Sequence, residues 1–570
     1  MQFDLLKGAH LRKEVHLSTV SGVASTKPQL VRYFDKKIPQ IDVITTKSFQ
    51  VLPNPGNREP VICEPELGSF GNSVGLRNPG MEASFPPLEK LRKEGLKSLL
   101  NISLSASNVE DFVTLVKKFD PIADSLELNF SCPHAASGFG ASIGCDINIA
   151  SNYVREIVKA TPERKAKLFI KLTPNVDNIG EIAKACIQEG ADGIVAINTV
   201  GPKLYLEPYS KAPILNNKLG GKGGASGTWV KEKALSSVQE IRKAIGDEPI
   251  IIGMGGVSTG TDVASFILAG ADAVGIGSAF GNVNQAMWGN WLETVKREAS
   301  IFLTGSPTSN EASRYLISYN QMEYVPHKIE KLTPFGSDML IIELDDSLSC
   351  GAGQFAFLYL PNVGEKPFSV AHNYPLTFIV KKRGFFTEAL FKLKEGDILY
   401  TRGLYGAQLD SVKTDRALLV AGGSGVAVLP SICRLLSSRG TKMSILVGSI
   451  KDEKDSEGFH ILEKDLQQYG AYYSIADDGV PGRVIQSLPT FLGQSSIAAY
   501  LVGPEKFMAK AAKVLLEAGL EADKIYLSME RTTLCGIGMC GECVCGDRLT
   551  CQYGTFMNYD YLLKEAPELL

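Results

Sequence analysis

Eight short apolar runs recur through the first 305 residues, and their regularity limits the folds open to this chain more than any other feature. They are HLSTVSG (16–22), IDVITTK (41–47), SLLNISLS (98–105), LELNFSC (126–132), LFIKLTP (168–174), GIVAINT (193–199), IIIGMGG (250–256) and AVGIGSA (273–279). Near-continuous apolar character suits parallel strands covered on both faces. Several runs are followed by amphipathic stretches such as NIGEIAKACIQEG and KALSSVQEIRKAI, whose apolar spacing is helical. Strand–helix alternation repeated eight times predicts an α/β fold, a closed (β/α)8 TIM barrel.

In such a barrel the catalytic groups stand at the carboxyl ends of the strands. The sequence places Lys47, Asn129, Cys132, Lys171, Asn198 and the glycines of GMGG and GIG there. Late in the barrel come GGKGGASG (220–227), GMGG (253–256) and GIGSA (275–279). Glycine lets backbone amides reach a phosphate that side chains would block, although any one such loop is also an ordinary turn. Three in order behind late strands predict a phosphate site.

After residue 305 the pattern changes. TGSPTSNEAS reads as a polar linker, and from VPHKIEKLTP onward short alternating strands are separated by Gly, Pro and Asp, which predicts a small antiparallel barrel. ALLVAGGSGVAVLPSICRLL (417–436) is an apolar strand, a glycine turn and a helix, an order that offers helix N-terminal amides to a dinucleotide phosphate. Near the end, Cys535, Cys540, Cys543 and Cys551 are spaced C-x4-C-x2-C-x7-C, and the first three match the plant-type [2Fe–2S] spacing. Zinc is the competing reading, but its sites favour paired C-x2-C knuckles and only one pair is present. Cys545 is left over, either a spare thiol or the fourth ligand in place of Cys551.

Composition decides the setting. A formal charge of −3, with Lys and Arg scattered, offers no basic stripe to nucleic acid or a membrane surface. MQFDLLKGAHLRKEV lacks the apolar core of a secretory signal. The expectation is a cytoplasmic protein acting on small molecules, where clustered thiols hold metal or do redox chemistry rather than form disulfides.

The barrel motifs are specific in combination. Lys47 in TTKS, Gly56 and Asn57 in PNPGNREP, NSVGL (72–76), LNFSCP (128–133), IKLTPN (170–175), AINT (196–199), GGASG (223–227) and GMGG resemble the FMN-binding barrel of dihydroorotate dehydrogenases. The resemblance implies Cys132 as the base that removes a ring proton, its thiolate being competent near an ordinary pKa of about 8.5. A lone cysteine is otherwise most often a buried, inert one. Asn72, Asn129, Asn198 and Thr199 would bind the planar amide edge of the substrate, and Val74, Gly75 and Leu76 its carboxylate. FMN would be held by Ser21, Gly22, Lys47, Lys171, Gly227, Gly255, Gly256, Gly277 and Ser278, with Lys171 facing the N1–C2 edge and Lys47 also near the substrate carboxylate. One departure stands out: His134 follows SCP where this family has asparagine, and SCPH resembles dihydropyrimidine dehydrogenase, which reduces uracil and thymine.

The second half resembles a ferredoxin-reductase-like module. GAGQFAFLYLP (351–361), KPFSV (366–370), GFFT (384–387) and RGLYG (402–406) follow the order of its FAD domain. Lys366, Pro367, Phe368, Ser369, Gly384 and Thr387 would bind FAD; Gly422, Gly423 and Gly425 would bind NAD, with ADDG (476–479) and LVGP (501–504) in the expected later places. SMERTTLCGIGMCGECVC resembles the electron-transfer subunit of two-flavin, NAD-linked dihydroorotate dehydrogenase. The implied organisation is an FMN barrel (1–305), an FAD β-barrel (320–411), an NAD-binding α/β domain (412–525) and a [2Fe–2S] segment (526–570), in a homodimer paired through the first barrel. Two other readings stay open: an NADH-dependent dihydropyrimidine dehydrogenase, and a non-catalytic flavin/iron–sulfur electron carrier.

Overall fold

The computed structural model describes residues 3–130, 143–449, 454–455, 457–477, 482–493 and 496–570. They form two compact units, one of Met1–Met322 with Ile537–Glu542, the other of Glu323–Gly536 with Cys543–Leu570.

Each of the eight runs contributes one strand to the first unit: Leu17–Thr19, Val43–Thr45, Leu99–Leu104, Ser125–Asn129, Lys167–Lys171, Gly193–Ala196, Ile250–Met254 and Ala273–Ile276. They close into a parallel barrel in chain order, the first strand pairing with the eighth (Leu17 opposite Val274) and with the second (Ser18 opposite Val43). The α/β barrel expected from the runs is therefore present. Its interior is graded. Phe3, Leu6, Val43, Phe169, Val195, Ile250 and Ile252 fill one part with apolar side chains, whereas Thr45, Asn101, Ser103 and Glu127 form a buried polar network.

A four-stranded antiparallel sheet belongs to the same unit, in the order Ile62–Glu66, Ser69–Asn72, Lys222–Gly227, Val200–Leu204. Here the structure departs from the sequence reading, because GGKGGASG is largely a strand rather than a loop. Ala225 opposes Gly71 and Gly224 opposes Asn72, and side chains on this strand would strike its neighbours. The polar stretch after the last barrel helix and the residues behind it are likewise tied down: Ala312 N–H donates to Glu298 Oε1 (3.1 Å), and Ile317 N–H to Asn282 O (2.8 Å).

The second unit begins with a closed antiparallel barrel of six strands ordered Val325–Phe335, Met339–Leu344, Leu376–Lys381, Gly364–Asn373, Phe355–Leu360, Ile398–Tyr405. A six-stranded sheet follows, ordered Gly470–Ala476, Lys442–Ser449, Arg416–Gly422, Ile497–Val502, Ile525–Ser528, Phe556–Asn558. Five of these strands are parallel; the last, beyond the cysteines, runs antiparallel with Met557 opposite Leu527. Apolar clusters cover the sheet on both faces. Among the described residues no helix is long and apolar enough to cross a membrane.

One ion pair anchors this unit. Arg402 and Glu365 are wholly buried and joined by two hydrogen bonds, Nε to Oε2 at 2.7 Å and Nη2 to Oε1 at 2.6 Å. Arg402 also donates to Cys535 O (2.8 Å) and Leu534 O (3.2 Å), while Tyr324 OH donates to Glu365 (2.7 Å). Removing one partner of such a pair strands a charge in low dielectric, which costs about 3–5 kcal/mol. Glu365→Gln is expected to destabilise this unit by that amount, seen as a lower denaturant midpoint at unchanged slope.

Candidate active site

The barrel strands deliver their terminal residues to one cavity. Ser21 and Gly22 follow the first strand, Lys47 the second, and Asn129 and Lys171 end the fourth and fifth. Asn198 and Thr199 follow the sixth, Gly255 and Gly256 the seventh, Gly277 and Ser278 the eighth. The antiparallel sheet and the turn behind it add Asn72, Val74, Gly75, Leu76 and Gly227 to the same wall. Every described residue expected to touch FMN or substrate thus borders a single cavity. Cys132 and His134 lie outside the described residues, as do Asp478 and Gly479 of ADDG.

Small residues permit this convergence. Gly256 has φ +73°, and a Cβ there would lie 2.7 Å from Gly227 O, so the loops after the seventh strand and after Lys222–Gly227 meet backbone to backbone.

The polar groups are neutral amides and hydroxyls flanked by two lysines. Asn198 Nδ2 donates to Asn129 Oδ1 (3.4 Å), and Asn129 Nδ2 to Ser48 Oγ (3.4 Å). Ser48 in turn contacts Ser21 (3.0 Å) and Ser103 (2.9 Å). Lys171 Nζ lies 3.6 Å from Glu127 Oε1, and that carboxylate accepts from Asn101 and Ser103 at 3.2 Å each. Lys47 Nζ is 3.0 Å from Glu542 Oε1, and Lys27 Nζ is 2.8 Å from Glu542 Oε2. Burial pulls the Lys47 ammonium below the ordinary lysine range, and Glu542 opposes the shift. Burial alone would raise Glu542, but Lys47 and then Lys27 hold it at about 2.

Glu127, Ser48, Arg77, Met539 and Glu542 were not singled out from sequence, yet Ser48, Arg77 and Met539 line the cavity and the two glutamates hold its lysines. For Glu127 a signal existed: an acidic residue inside the apolar run LELNF must have a partner. Glu542, nearly 500 residues from Lys47, left none.

In the second unit Lys366, Pro367, Phe368 and Ser369 lie on the strand Gly364–Asn373, Phe368 opposite Ala356 and Ser369 opposite Phe355. Thr387 Oγ1 accepts from the Gly384 and Arg383 amides (3.1 and 2.9 Å), so the GxxT pair closes the helix start at Phe385–Leu390. Gly422 ends the strand Arg416–Gly422, and Gly423 and Gly425 form the turn into the helix Leu429–Ser438.

The cysteine spacing also has a structural reason. Val544 opposes Leu549 and Cys545 opposes Arg548 in a two-stranded hairpin, and Thr550 N–H donates to Cys543 O (3.1 Å). The hairpin brings Cys551 Sγ to 3.3 Å from Cys543 Sγ, and the Cys551 thiol also hydrogen-bonds with Cys535. Cys545 instead packs in the apolar cluster with Met557, Tyr559 and Leu562. Among the described residues no three His, Cys, Asp or Glu side chains meet at a single-ion site.

A closed parallel barrel whose strands end at one cavity, edged by amides, hydroxyls and lysines, defines a TIM-barrel enzyme. The family model described as "Dihydroorotate dehydrogenase" matches residues 10–298. The catalytic subunit of dihydroorotate dehydrogenase B (NAD(+)) from Methanocaldococcus jannaschii is 40% identical over 237 residues, 41% of this chain and 74% of that protein. Its counterpart from Pyrococcus abyssi is 40% identical over 264 residues, 46% of this chain and 83% of that one. A solved NADH-dependent reduced ferredoxin-NADP oxidoreductase overlays 42% of this chain and 93% of its own at 24% identity, with a TM-score of 0.37. This chain belongs to the dihydroorotate dehydrogenase family.

Glu127 is the partner on which buried Lys171 depends. Glu127→Ala is expected to cost about 3–5 kcal/mol, because it leaves an ammonium buried without a counter-charge. The double variant Glu127→Ala/Lys171→Met should recover part of that loss in thermal melts.

Proposed function

We propose that this chain oxidises dihydroorotate to orotate in the barrel cavity and delivers the electrons to NAD+. FMN in the barrel would accept the ring hydride, and a [2Fe–2S] cluster and FAD would carry the electrons onward, since hydride itself transfers only over roughly 3–3.5 Å. The observation that carries this reading is the gathering of the described FMN and substrate residues around one cavity.

The donor set suits the groups proposed for it. Lys171, held by Glu127, supplies a fixed cation for the N1–C2 edge of a reduced flavin. Asn72, Asn129 and Asn198 offer both donors and acceptors, as a planar amide edge requires. Lys47, nearly buried and held by Glu542, offers a fixed cation at the cavity wall that favours an acidic substrate over a neutral pyrimidine. The resemblance of LNFSCP makes Cys132 the residue that would take the ring proton. In the second unit Lys366, Pro367, Phe368, Ser369, Gly384 and Thr387 would hold FAD, and Gly422, Gly423 and Gly425 NAD. Cys535, Cys540, Cys543 and Cys551 would hold the cluster. The reading includes a cytoplasmic setting and a homodimer paired through the first barrel.

Parallel assays with dihydroorotate and uracil test the substrate; turnover of uracil alone would overturn the choice. Cys132→Ala is expected to abolish dihydroorotate oxidation while FMN, FAD and NADH-driven dye reduction persist, and an active variant would remove Cys132 from its role.

Measurements on the wild-type chain should find FMN, FAD, iron and labile sulfide. Cys551→Ser should lose the iron and the paramagnetic signal of the reduced protein, whereas Cys545→Ser should keep both.

A further inference from the structure

The carboxylate that meets Lys47 arrives from the cysteine-rich stretch. Its segment, Ile537–Glu542, is part of the barrel unit. Ala24 N–H donates to Met539 O (2.8 Å), and Thr26 Oγ1 donates to Cys540 O (2.8 Å). Gly541 has φ +70°, and a Cβ there would lie 2.3 Å from Thr26 Oγ1 and 3.1 Å from Ala24 O. Only glycine allows so close a passage, and the next residue, Glu542, is thereby delivered to the two lysines. The Glu542 side chain is 5% exposed and that of Lys47 11%. Lys47 borders both the main cavity and an adjoining one of about 520 Å³, and Glu542 lines the second.

An ammonium this deeply buried keeps one orientation only while a counter-charge holds it. We propose that Glu542 is a positioning residue for the oxidation site: its carboxylate fixes Lys47 Nζ at the cavity wall, so the barrel presents that cation to an acidic substrate only while the segment carrying Glu542 is seated. This rests on the dihydroorotate reading given above. It adds a dependence of substrate recognition on a residue lying between two cysteines near the far end of the chain.

The test uses the full-length protein with its cofactors. Glu542→Gln is expected to raise KM for dihydroorotate by about tenfold or more and to weaken orotate binding, followed by the flavin difference spectrum, by a similar factor, with a smaller change in kcat. Iron content should stay at the wild-type level. Glu542→Asp, which keeps the charge, should return KM to within about threefold of wild type, and this covers the case in which Gln unseats the segment. Lys47→Met/Glu542→Gln should bind orotate no more weakly than Lys47→Met alone, because the two residues act as one unit. Orotate affinity unchanged in Glu542→Gln, or losses that simply add in the double variant, would overturn the positioning role. A wild-type protein that neither oxidises dihydroorotate nor binds orotate would instead bring down the substrate reading, and this proposal with it.

Discussion

Closure of the eight-stranded barrel is the constraint from which the site follows. Parallel strands in sequential order place all their carboxyl ends on one rim, so residues as distant as Ser21 and Ser278 border one cavity without any long-range signal of their own. The register Leu17 opposite Val274 joins the ends of the array. A slip of one residue in that pairing would turn the inward side chains of a strand outward and scatter the set.

In each of the two units, buried charges described above are met by partners. Lys171 is met by Glu127, which is itself held by Asn101 and Ser103; Arg402 is met by Glu365, which also accepts from Tyr324. An apolar pair of similar volume would stabilise as well or better, so such pairs are weak evidence for stability as their purpose. Each stands beside groups with a proposed role in the chemistry, Glu127 under a cavity lysine and Arg402 on the carbonyl of Cys535. Fixed charge and fixed geometry at those points account for their presence better than net folding energy does.

The parts legible in the sequence were those with a local physical signature. Strands covered on both faces read as apolar runs, and all eight were found that way; loop residues at their carboxyl ends were found with them. GGKGGASG misled because glycine serves two needs, phosphate approach in a loop and close strand packing, and here the second applies to most of the stretch. The pairing of Cys543 with Cys551 depended on a hairpin of two-residue strands, too short to leave a periodic pattern. Glu542 was invisible because its partners, Lys27 and Lys47, are joined to it only by the tertiary fold.

The charge at the cavity wall bears on the departure at His134. A histidine after SCP argues for a neutral pyrimidine, whereas Lys47, held by Glu542, argues for an acidic one. Lys47 borders the cavity with its side chain only 11% exposed, whereas Lys27, on the other oxygen of Glu542, is 38% exposed. A neutral ring would make no ionic contact with that cation. A ring bearing a carboxylate makes that contact as it binds, and the gain is largest where water is excluded. Among the described residues, the group that weighs toward an acidic ring is therefore Lys47, a nearly buried cation at the cavity wall held in place by Glu542.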